Sequence, residues 1–330
     1  MSAIEGISVI IPNYNGQVLL PQVLPTVLAA LKTAGLPWEI IIADDCSTDG
    51  SLALLKKEST QIKIVQNIVN SGFSITSNNG IKAAAYDWVL LLNSDVKLEQ
   101  GYFEPLLKYT TKPGVFGVMG RIIGWTDAQI QDSAKYPLRH GAKIKTSGNY
   151  LLENEQEMGE GLYTMYLSGA NAFMNKKLFL EIGGFNELFS PFYVEDFELC
   201  LRAWRLGYTC YYDHNAICRH KTSTTIASTN KKESIRKIYN RNKMYLHAIH
   251  LNTGERIWWF AQLFLETIFQ ILTLKGYYFK ALFLFISSYK KVSASRKDFF
   301  LLAQGKKILT VSQVIKKIRA DFYGKKIIRF

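Results

Sequence analysis

An α/β fold with a mostly parallel central sheet flanked by helices is what this 330-residue sequence predicts, and three observations predict it. Short aliphatic runs alternate with helix-length stretches; such a rhythm produces parallel strands joined by crossover helices. Three of the apolar runs end in carboxylates or their amides: Asp44-Asp45 after WEIIIA, Asn93-Ser94-Asp95 after WVLLL, and Glu195-Asp196 after SPFYV. Sheets of this kind bind ligands beyond the carboxyl ends of their strands, so the acidic tips mark a crevice able to meet a cation, a sugar hydroxyl or a diphosphate. The third observation is that 48% hydrophobic content is enough for one large core, or one core with an appended module, and excludes a disordered chain.

The elements follow in order. GISVIIP, WEIIIA, IKIVQN and WVLLLN read as strands, with helices around 19–34, 49–58 and 73–86 between them. VFGVMG at 115–120 reads as another strand, and 121–165, rich in Gly, Asp, Gln and Lys, as loops or a small subdomain bordering the site. SGANAFMNKKLFLEIGGFNELF at 168–189 reads as a helix stopped at Gly183-Gly184, with Gly169 and Ala170 small enough for a sugar to pack on backbone. FYVEDFELCLRAWRLG at 192–207 is a helix opened by Glu195 and Asp196, where the helix dipole favours carboxylates. Its apolar stripe is Phe197, Leu201 and Trp204, and Glu198 and Arg202, four apart, pair as surface or orienting charges.

Each strand tip has a chemical reading beside a structural one. Pro12, Asn13, Tyr14, Asn15 and Gly16 suit a base or ribose lying over exposed backbone, or simply end a strand. In DDCSTDGS one of Asp44 and Asp45 accepts hydrogen bonds from a base edge or ribose, while Ser47 or Thr48 caps the helix opening near Asp49. Asn70 to Gly80, NSGFSITSNNG, lets backbone approach a nucleotide at Gly72; a helix start with polar caps accounts for the same residues. Asp95 is an oxygen ligand for Mg²⁺ or Mn²⁺ bridging a diphosphate, or part of a turn with Asn93 and Ser94.

The charge is divided unevenly. Residues 1–218 hold 17 Lys/Arg against 22 Asp/Glu, and residues 219–330 hold 23 against 5. That basic block suits an anionic partner or a solvated surface. Within it, 257–274 is apolar except for a stripe of Gln262, Glu266, Gln270 and Thr273, and 277–289 is a second apolar stretch. Glu266 near the middle disfavours spanning a bilayer, whereas flanking Lys and aromatics suit helices lying in an anionic membrane interface. Packing on the catalytic half, or on another subunit in a homo-oligomer, is the structural alternative. Nucleic acid is not expected, since the apolar periodicity exceeds what a groove-binding helix needs. An NAD-dependent oxidoreductase is disfavoured because PNYNG, not G-x-G-x-x-G, follows the first strand. Four cysteines without a C-x-x-C pair, and a first apolar run too short for a signal peptide, suggest a reduced, cytoplasmic protein.

Taken together, SVIIPNYNG, IIADDCSTDGS, NSGFSITSNNGI, LLNSDV, SGANAFMNKKLFLEIGGFNELF, FYVEDFELCLR and a downstream His resemble the inverting nucleotide-sugar glycosyltransferases of family 2, of the bacterial rhamnosyltransferase and cell-surface polysaccharide type. The resemblance covers about residues 6–222 and implies a GT-A fold there, with 223–330 as a basic amphipathic helical region. It implies a nucleotide-sugar donor, held by Pro12, Asn13, Tyr14, Asp44 or Asp45, Asn70, Gly72, Asn93 and Ser94, and a glycan or lipid-linked acceptor beside Gly169, Ala170 and Arg202. A divalent cation would be ligated by Asp95 and His220, the latter preferred to His214 because the family places a metal-binding histidine there. Asp196 would be the general base, with Glu195 orienting it or the acceptor. Asn93 stands where the family usually has the first Asp of Asp-x-Asp; it brings an oxygen without charge and keeps open a catalytically silent sugar-nucleotide-binding homologue. The basic, aromatic-rich C-terminal region adds the expectation of a peripheral enzyme at the inner face of the cell membrane.

Overall fold

The computed structural model describes residues 4–58, 62–159, 161–221 and 232–330, apart from the side chains of residues 57, 58 and 155. The domain boundary expected at 222/223 lies outside the described residues.

The first strands form where aliphatic, β-branched runs predict them: β1 (Ile7–Asn13), β2 (Trp38–Asp44), β3 (Ile62–Gln66) and β4 (Trp88–Leu92). After them come β5 (Val96–Leu98), β6 (Val115–Gly124), β7 (Ile130–Asp132), β8 (Pro137–His140), β9 (Lys143–Thr146), β10 (Tyr150–Leu152), β11 (Leu162–Tyr163), β12 (Asn171–Asn175), β13 (Thr209–His220) and β14 (Ile327–Arg329). The main sheet runs β11-β13-β6-β12-β4-β1-β2-β3. Its β4-β1-β2-β3 half is parallel; β12 enters antiparallel to both β4 and β6, and β13 lies parallel to β6.

Helices α1 (Leu20–Ala34), α2 (Ser51–Glu58) and α3 (Phe73–Lys82) follow the first three strands. In α1 the buried residues Leu20, Val23, Leu24, Val27, Ala30 and Leu31 recur at helical spacing, and the helix stops at Gly35 with φ 65°. Ile7, Val9 and Ile11 face the core under α1, whereas Ile10 faces the opposite core under α3. A Cβ at Gly80 would lie 2.5 Å from Ile10 Cγ2, so glycine sets how closely α3 approaches β1. Next come α4 (Glu104–Leu107), α5 (Glu155–Gly159), α6 (Lys176–Glu181) and α7 (Glu195–Arg205).

Two expectations change in detail. The stretch at 168–189 holds strand β12 before helix α6, because Asn175 ends the strand and caps the helix, accepting from Leu178 N at 3.0 Å. The segment 121–165 is less irregular than its composition suggested: β6 continues to Gly124, β7 pairs with it, β8 and β9 form a hairpin, and β10 pairs with β14.

The C-terminal block folds as α8 (Lys232–His250), α9 (Thr253–Leu272), α10 (Gly276–Ser287), α11 (Tyr289–Leu302) and α12 (Val311–Ala320). Asn252 with Glu255, and Thr310 with Gln313, form reciprocal capping boxes that start α9 and α12. Tyr245, Trp259, Phe285, Phe299, Val314 and Ile318 join the same core as α7 and Ile10, so these helices pack on the sheet-bearing half. Among the described residues no helix is long and apolar enough to cross a membrane.

Helix α9 is oriented in an unusual way. Its polar residues Gln262 and Glu266 face the β8–β9 hairpin, where Ala142 N donates to Gln262 Oε1 at 2.9 Å and Lys143 pairs with Glu266. Trp258, Phe264, Leu265, Phe269 and Leu272 lie on the outside, each more than half exposed.

Candidate active site at the strand ends

A cavity of about 740 Å³ opens at the carboxyl ends of β1, β2 and β4 and is closed on its other side by the turn before α7. Pro12, Asn13 and Tyr14 enter it from β1, Asp45 from β2, Asn70 and Gly72 from the start of α3, and Asn93, Ser94 and Asp95 from β4. Gly169, Ala170, Glu195, Asp196 and His220, also expected from the sequence, line it too; Phe73, Thr76, Ser168 and residues 191–193 are additional walls.

Adjacent carboxylates at the tip of β2 take different tasks because successive strand residues point to opposite sides. Asp44 is fully buried and is consumed internally, accepting from Asn13 Nδ2 at 2.8 Å, Ser47 Oγ at 2.6 Å and Ser47 N at 3.0 Å. It does not line the cavity, which corrects its expected place beside the donor. The same bonds take Ser47 away from helix capping; Asp49 instead accepts from Ser51 N at 3.0 Å at the start of α2. Asp45 accepts from Ser71 N at 2.7 Å, Gly72 N at 2.8 Å and Asn67 Nδ2 at 2.9 Å, and so shapes the 70–72 loop while bordering the cavity.

β5 and β13 pair with Val96 opposite His220, and that register brings the imidazole to Asp95. His220 Nε2 stands 3.5 Å from Asp95 Oδ1, and His220 Nδ1 is 3.1 Å from Gln131 Oε1. With Nδ1–H donating to Gln131, the Nε2 lone pair turns toward Asp95, the arrangement in which a hydrogen bond to the far ring nitrogen orients a metal-binding histidine. Carboxylate oxygen and imidazole nitrogen suit Mn²⁺ or Mg²⁺ with coordination positions left for phosphate oxygens. Among the described residues no group of three or more His, Cys, Asp or Glu is placed to hold a metal ion. His214 is elsewhere, between Arg121 Nη1 at 2.7 Å and Tyr212 OH at 2.8 Å; burial, then Arg121, pushes it down to about 4.

Glu195 and Asp196 open α7 after Tyr193 and Val194, whose φ values of 73° and 74° are both left-handed. Such backbone needs support from its surroundings. Asn242 on α8 gives it, donating through Nδ2 to the carbonyls of Phe189, Phe192 and Tyr193 at 2.7, 3.1 and 2.8 Å. Burial and then the neighbouring Asp196 push Glu195 up to about 8, and its Oε2 has no hydrogen-bonding partner among the described residues. Burial raises Asp196 too, opposed by the N–H groups of Phe197 and Gly169 and the charge of Lys135. Like charges this close do not both ionise readily, so the pair sheds its two protons in separate steps, and burial holds the last of them on.

Arg202 does not reach the cavity. It pairs with Glu198 as their four-residue spacing anticipated, forking onto it at 2.6 and 3.1 Å, but does so in the interior at 5% exposure and donates to the Ile182 carbonyl, which replaces the acceptor-side placement expected for it. Packing explains this: α6 and α8 cover the face of α7 that the sequence left open. Lys135, Gln131, Tyr193 and Asn242 were not anticipated. Tyr193 adjoins the acidic pair and was open to notice; the others lie in a segment without periodicity or on a remote helix.

The sequence model described as glycosyl transferase family 2 matches residues 8–183, more than half of the chain. The chain belongs to glycosyl transferase family 2. Its mostly parallel sheet and flanking helices form the GT-A fold. An undecaprenyl-phosphate 4-deoxy-4-formamido-L-arabinose transferase of Pectobacterium carotovorum is 32% identical over 134 residues, 39% of each chain, so the match spans well under half of that relative. An N-acetylglucosaminyl-diphospho-decaprenol L-rhamnosyltransferase of Mycobacterium tuberculosis is 25% identical over 57% of this chain and 68% of its own. Two solved structures share the fold at low identity. TarS 1–349 of S. aureus with UDP-GlcNAc has a TM-score of 0.54 at 16% identity over 96% of this chain and 90% of its own. The mannosyltransferase PcManGT of Pyrobaculum calidifontis with GDP-Man and Mn²⁺ has 0.53 at 13% over 97% and 85%.

Proposed function

We propose that this family 2 enzyme moves a sugar, with inversion, from a nucleotide-diphospho-sugar to a hydroxyl of a lipid-linked or glycan acceptor at the cytoplasmic membrane face. The observation that carries the reading is the gathering of Asp45, the Asp95–His220 pair and Asp196, distant in sequence, around one cavity. Donor and acceptor sides meet where Asn93 N donates to the Ala170 carbonyl at 3.2 Å. The neutral Asn93 amide, the Tyr14 ring and glycine backbone at Gly72 suit a nucleotide lying across the strand tips, beside Asn13, whose Nδ2 is taken by Asp44 and Ser47.

The donor chemistry of Asp95 and His220 fits a divalent cation, and those two residues would hold it. Such an ion would neutralise charge on a departing diphosphate. Asn93 beside them adds an oxygen but no charge. Asp196, as its carboxylate, accepts the proton of the acceptor hydroxyl as that oxygen attacks the anomeric carbon and the nucleotide diphosphate departs. A base so placed contributes about 10²- to 10⁴-fold, and the rest comes from alignment of the two substrates. Because burial raises Asp196, acid should silence transfer at a higher pH than an ordinary aspartate would.

The polyprenyl acceptors in the names of the two relatives, together with the outward apolar face of α9 and the basic C-terminal block, support a lipid-linked acceptor and docking on an anionic bilayer. The deciding experiment offers UDP-, GDP- and dTDP-sugars with Mn²⁺, read by thermal stabilisation and then by transfer. Asp196→Asn should bind the selected donor normally and lose transfer by about 10²- to 10⁴-fold. Full transfer by that variant would remove the base, and stabilisation without transfer by the unaltered protein would favour a silent sugar-nucleotide-binding homologue.

A further inference from the structure

A second cavity, of about 360 Å³, lies between the β8–β9 hairpin and helices α8, α9 and α10. Lys143, Lys145 and Lys243 all border it, and Trp259 forms part of its wall with His247 stacked on the indole at 5.7 Å. Lys143 is paired with Glu266, but among the described residues neither Lys145 nor Lys243 has a carboxylate at ion-pair distance. Lys243 Nζ donates to the Ile144 carbonyl at 3.5 Å. His247 adds no charge: burial, then Lys243, pushes it down to about 3, and its Nε2 accepts from Ile144 N at 2.9 Å. Burial and then the neighbouring Lys145 and Lys143 push Lys243 down to about 8. Ammonium groups gathered this way repel one another, and a bound anion relieves the repulsion.

The cavity is connected at both ends. Toward the active site, Lys243 Nζ lies 4.7 Å over the Phe197 ring, next to Asp196, and Tyr239 meets the ring of Tyr193 at 6.3 Å. Tyr193 borders the first cavity and Tyr239 the second. Away from it, Trp259 and Leu263 belong to α9, whose next turns carry the exposed Phe264, Leu265 and Phe269. Basic groups with an apolar strip on one side and a base on the other match a phosphate that joins a sugar to a hydrocarbon chain.

We propose that this second cavity takes the phosphate or diphosphate of a lipid-linked sugar acceptor, with the sugar extending to Asp196 and the chain leaving along α9. This rests on the transferase reading and adds to it where the acceptor is gripped. Lys145 and Lys243 contact the phosphate oxygens, while Lys143, held by Glu266, adds charge from the edge.

Farnesyl diphosphate is a direct probe, titrated in EDTA so that no cation equips the donor site, with binding read by calorimetry and tryptophan fluorescence. Farnesol, inorganic pyrophosphate and phosphatidylglycerol vesicles serve as comparisons. The protein should bind farnesyl diphosphate at least about tenfold more tightly than farnesol or pyrophosphate, and Lys145→Ala/Lys243→Gln should lose about 10- to 100-fold of that affinity. Lys243→Arg should retain it, and donor stabilisation with Mn²⁺ should be unchanged in every variant. Lys145→Ala alone, at an exposed position, repeats the test should the double variant melt early. Equal binding by the double variant, equal affinity for farnesol or pyrophosphate, or a loss seen only with phosphatidylglycerol vesicles would overturn the proposal. Failure of sugar nucleotides to stabilise the unaltered protein would instead strike the transferase reading itself.

Discussion

Glu198→Gln probes how the helix that carries the acidic pair is fixed. Glu198 is 1% exposed, one turn into α7, between Arg202 and His250. Burial alone would raise its carboxyl; the Arg202 guanidinium and then the His250 hydrogen bond outweigh that and hold it down to about 2 from an ordinary 4.5. His250 is itself pushed down to about 4 by burial, so at neutral pH it donates through Nε2–H at 2.9 Å without carrying charge, and Arg202 supplies the cation. At ~1.4 kcal/mol per pH unit the depression of Glu198 corresponds to about 3 kcal/mol of folding stability. Leaving Arg202 buried without its carboxylate costs a similar 3–5 kcal/mol or so. Glu198→Gln should therefore lose about 3 kcal/mol in urea unfolding near neutral pH, with transfer reduced because Glu195 and Asp196 ride on the same helix. Since the folded-state value lies below the unfolded one, this stability is present above 4.5 and is lost as pH falls toward 2. The variant should accordingly show a flatter acid dependence across that window. A loss under about 1 kcal/mol, or unchanged acid dependence, would refute the reasoning.

Gly72→Ala should weaken sugar-nucleotide binding and destabilise the fold by about 1–3 kcal/mol, read by donor titration and urea unfolding. Its φ is 85° and a Cβ would lie 2.7 Å from Pro191 Cα, displacing the loop that Asp45 holds. His220→Ala should abolish Mn²⁺-dependent stabilisation by the donor, and Gln131→Leu should weaken it by about tenfold or more, because Gln131 orients the imidazole. Phe264→Ser/Phe269→Ser, at positions 67% and 59% exposed, should cut partition onto phosphatidylglycerol vesicles at least about tenfold with donor binding intact. Undiminished partition in sedimentation would remove α9 from the membrane.

The strand-end half of the site was legible because two signals coincide there: a short continuous aliphatic run and an abrupt change to Asn, Asp or Ser at its tip. That pattern places Asn13, Asp45 and Asp95 at the carboxyl edge without any knowledge of the turns between them. It does not choose between Asp44 and Asp45, since the choice is made by Asn13 and Ser47, whose side chains consume the first carboxylate. Arg202 was misread for a related reason. A helical stripe of Phe197, Leu201 and Trp204 implies an open opposite face, but Ile182, just after α6, and His250 from α8 close it, and α7 is buried nearly all round. Lys135 and Asn242 act on the acidic pair through tertiary approach alone, and a polar residue on an amphipathic helix gives no sign of which distant carbonyls it will hold.

Helix α9 separates what periodicity determines from what it leaves open. The recurrence of Gln262, Glu266, Gln270 and Thr273 defines a narrow polar face, and the default expectation turns such a face to water. Here the β8–β9 hairpin presents the Ala142 N–H and the Lys143 ammonium to it, so Gln262 and Glu266 point inward, while Gln270 and Thr273 lie beyond the hairpin and bond to each other at 3.2 Å. The aromatic and aliphatic arcs are thereby turned out, and Phe283 and Ile286 of α10 are 70% and 62% exposed as well. Apolar area left in water forgoes roughly 25 cal/mol per Å², which favours any surface able to cover it. A second copy of the chain would bring another C-terminal block with 23 basic and 5 acidic residues against the first, and the two would repel. An anionic bilayer meets the apolar arcs and the cations together, and it is also where a polyprenyl-linked acceptor would be found.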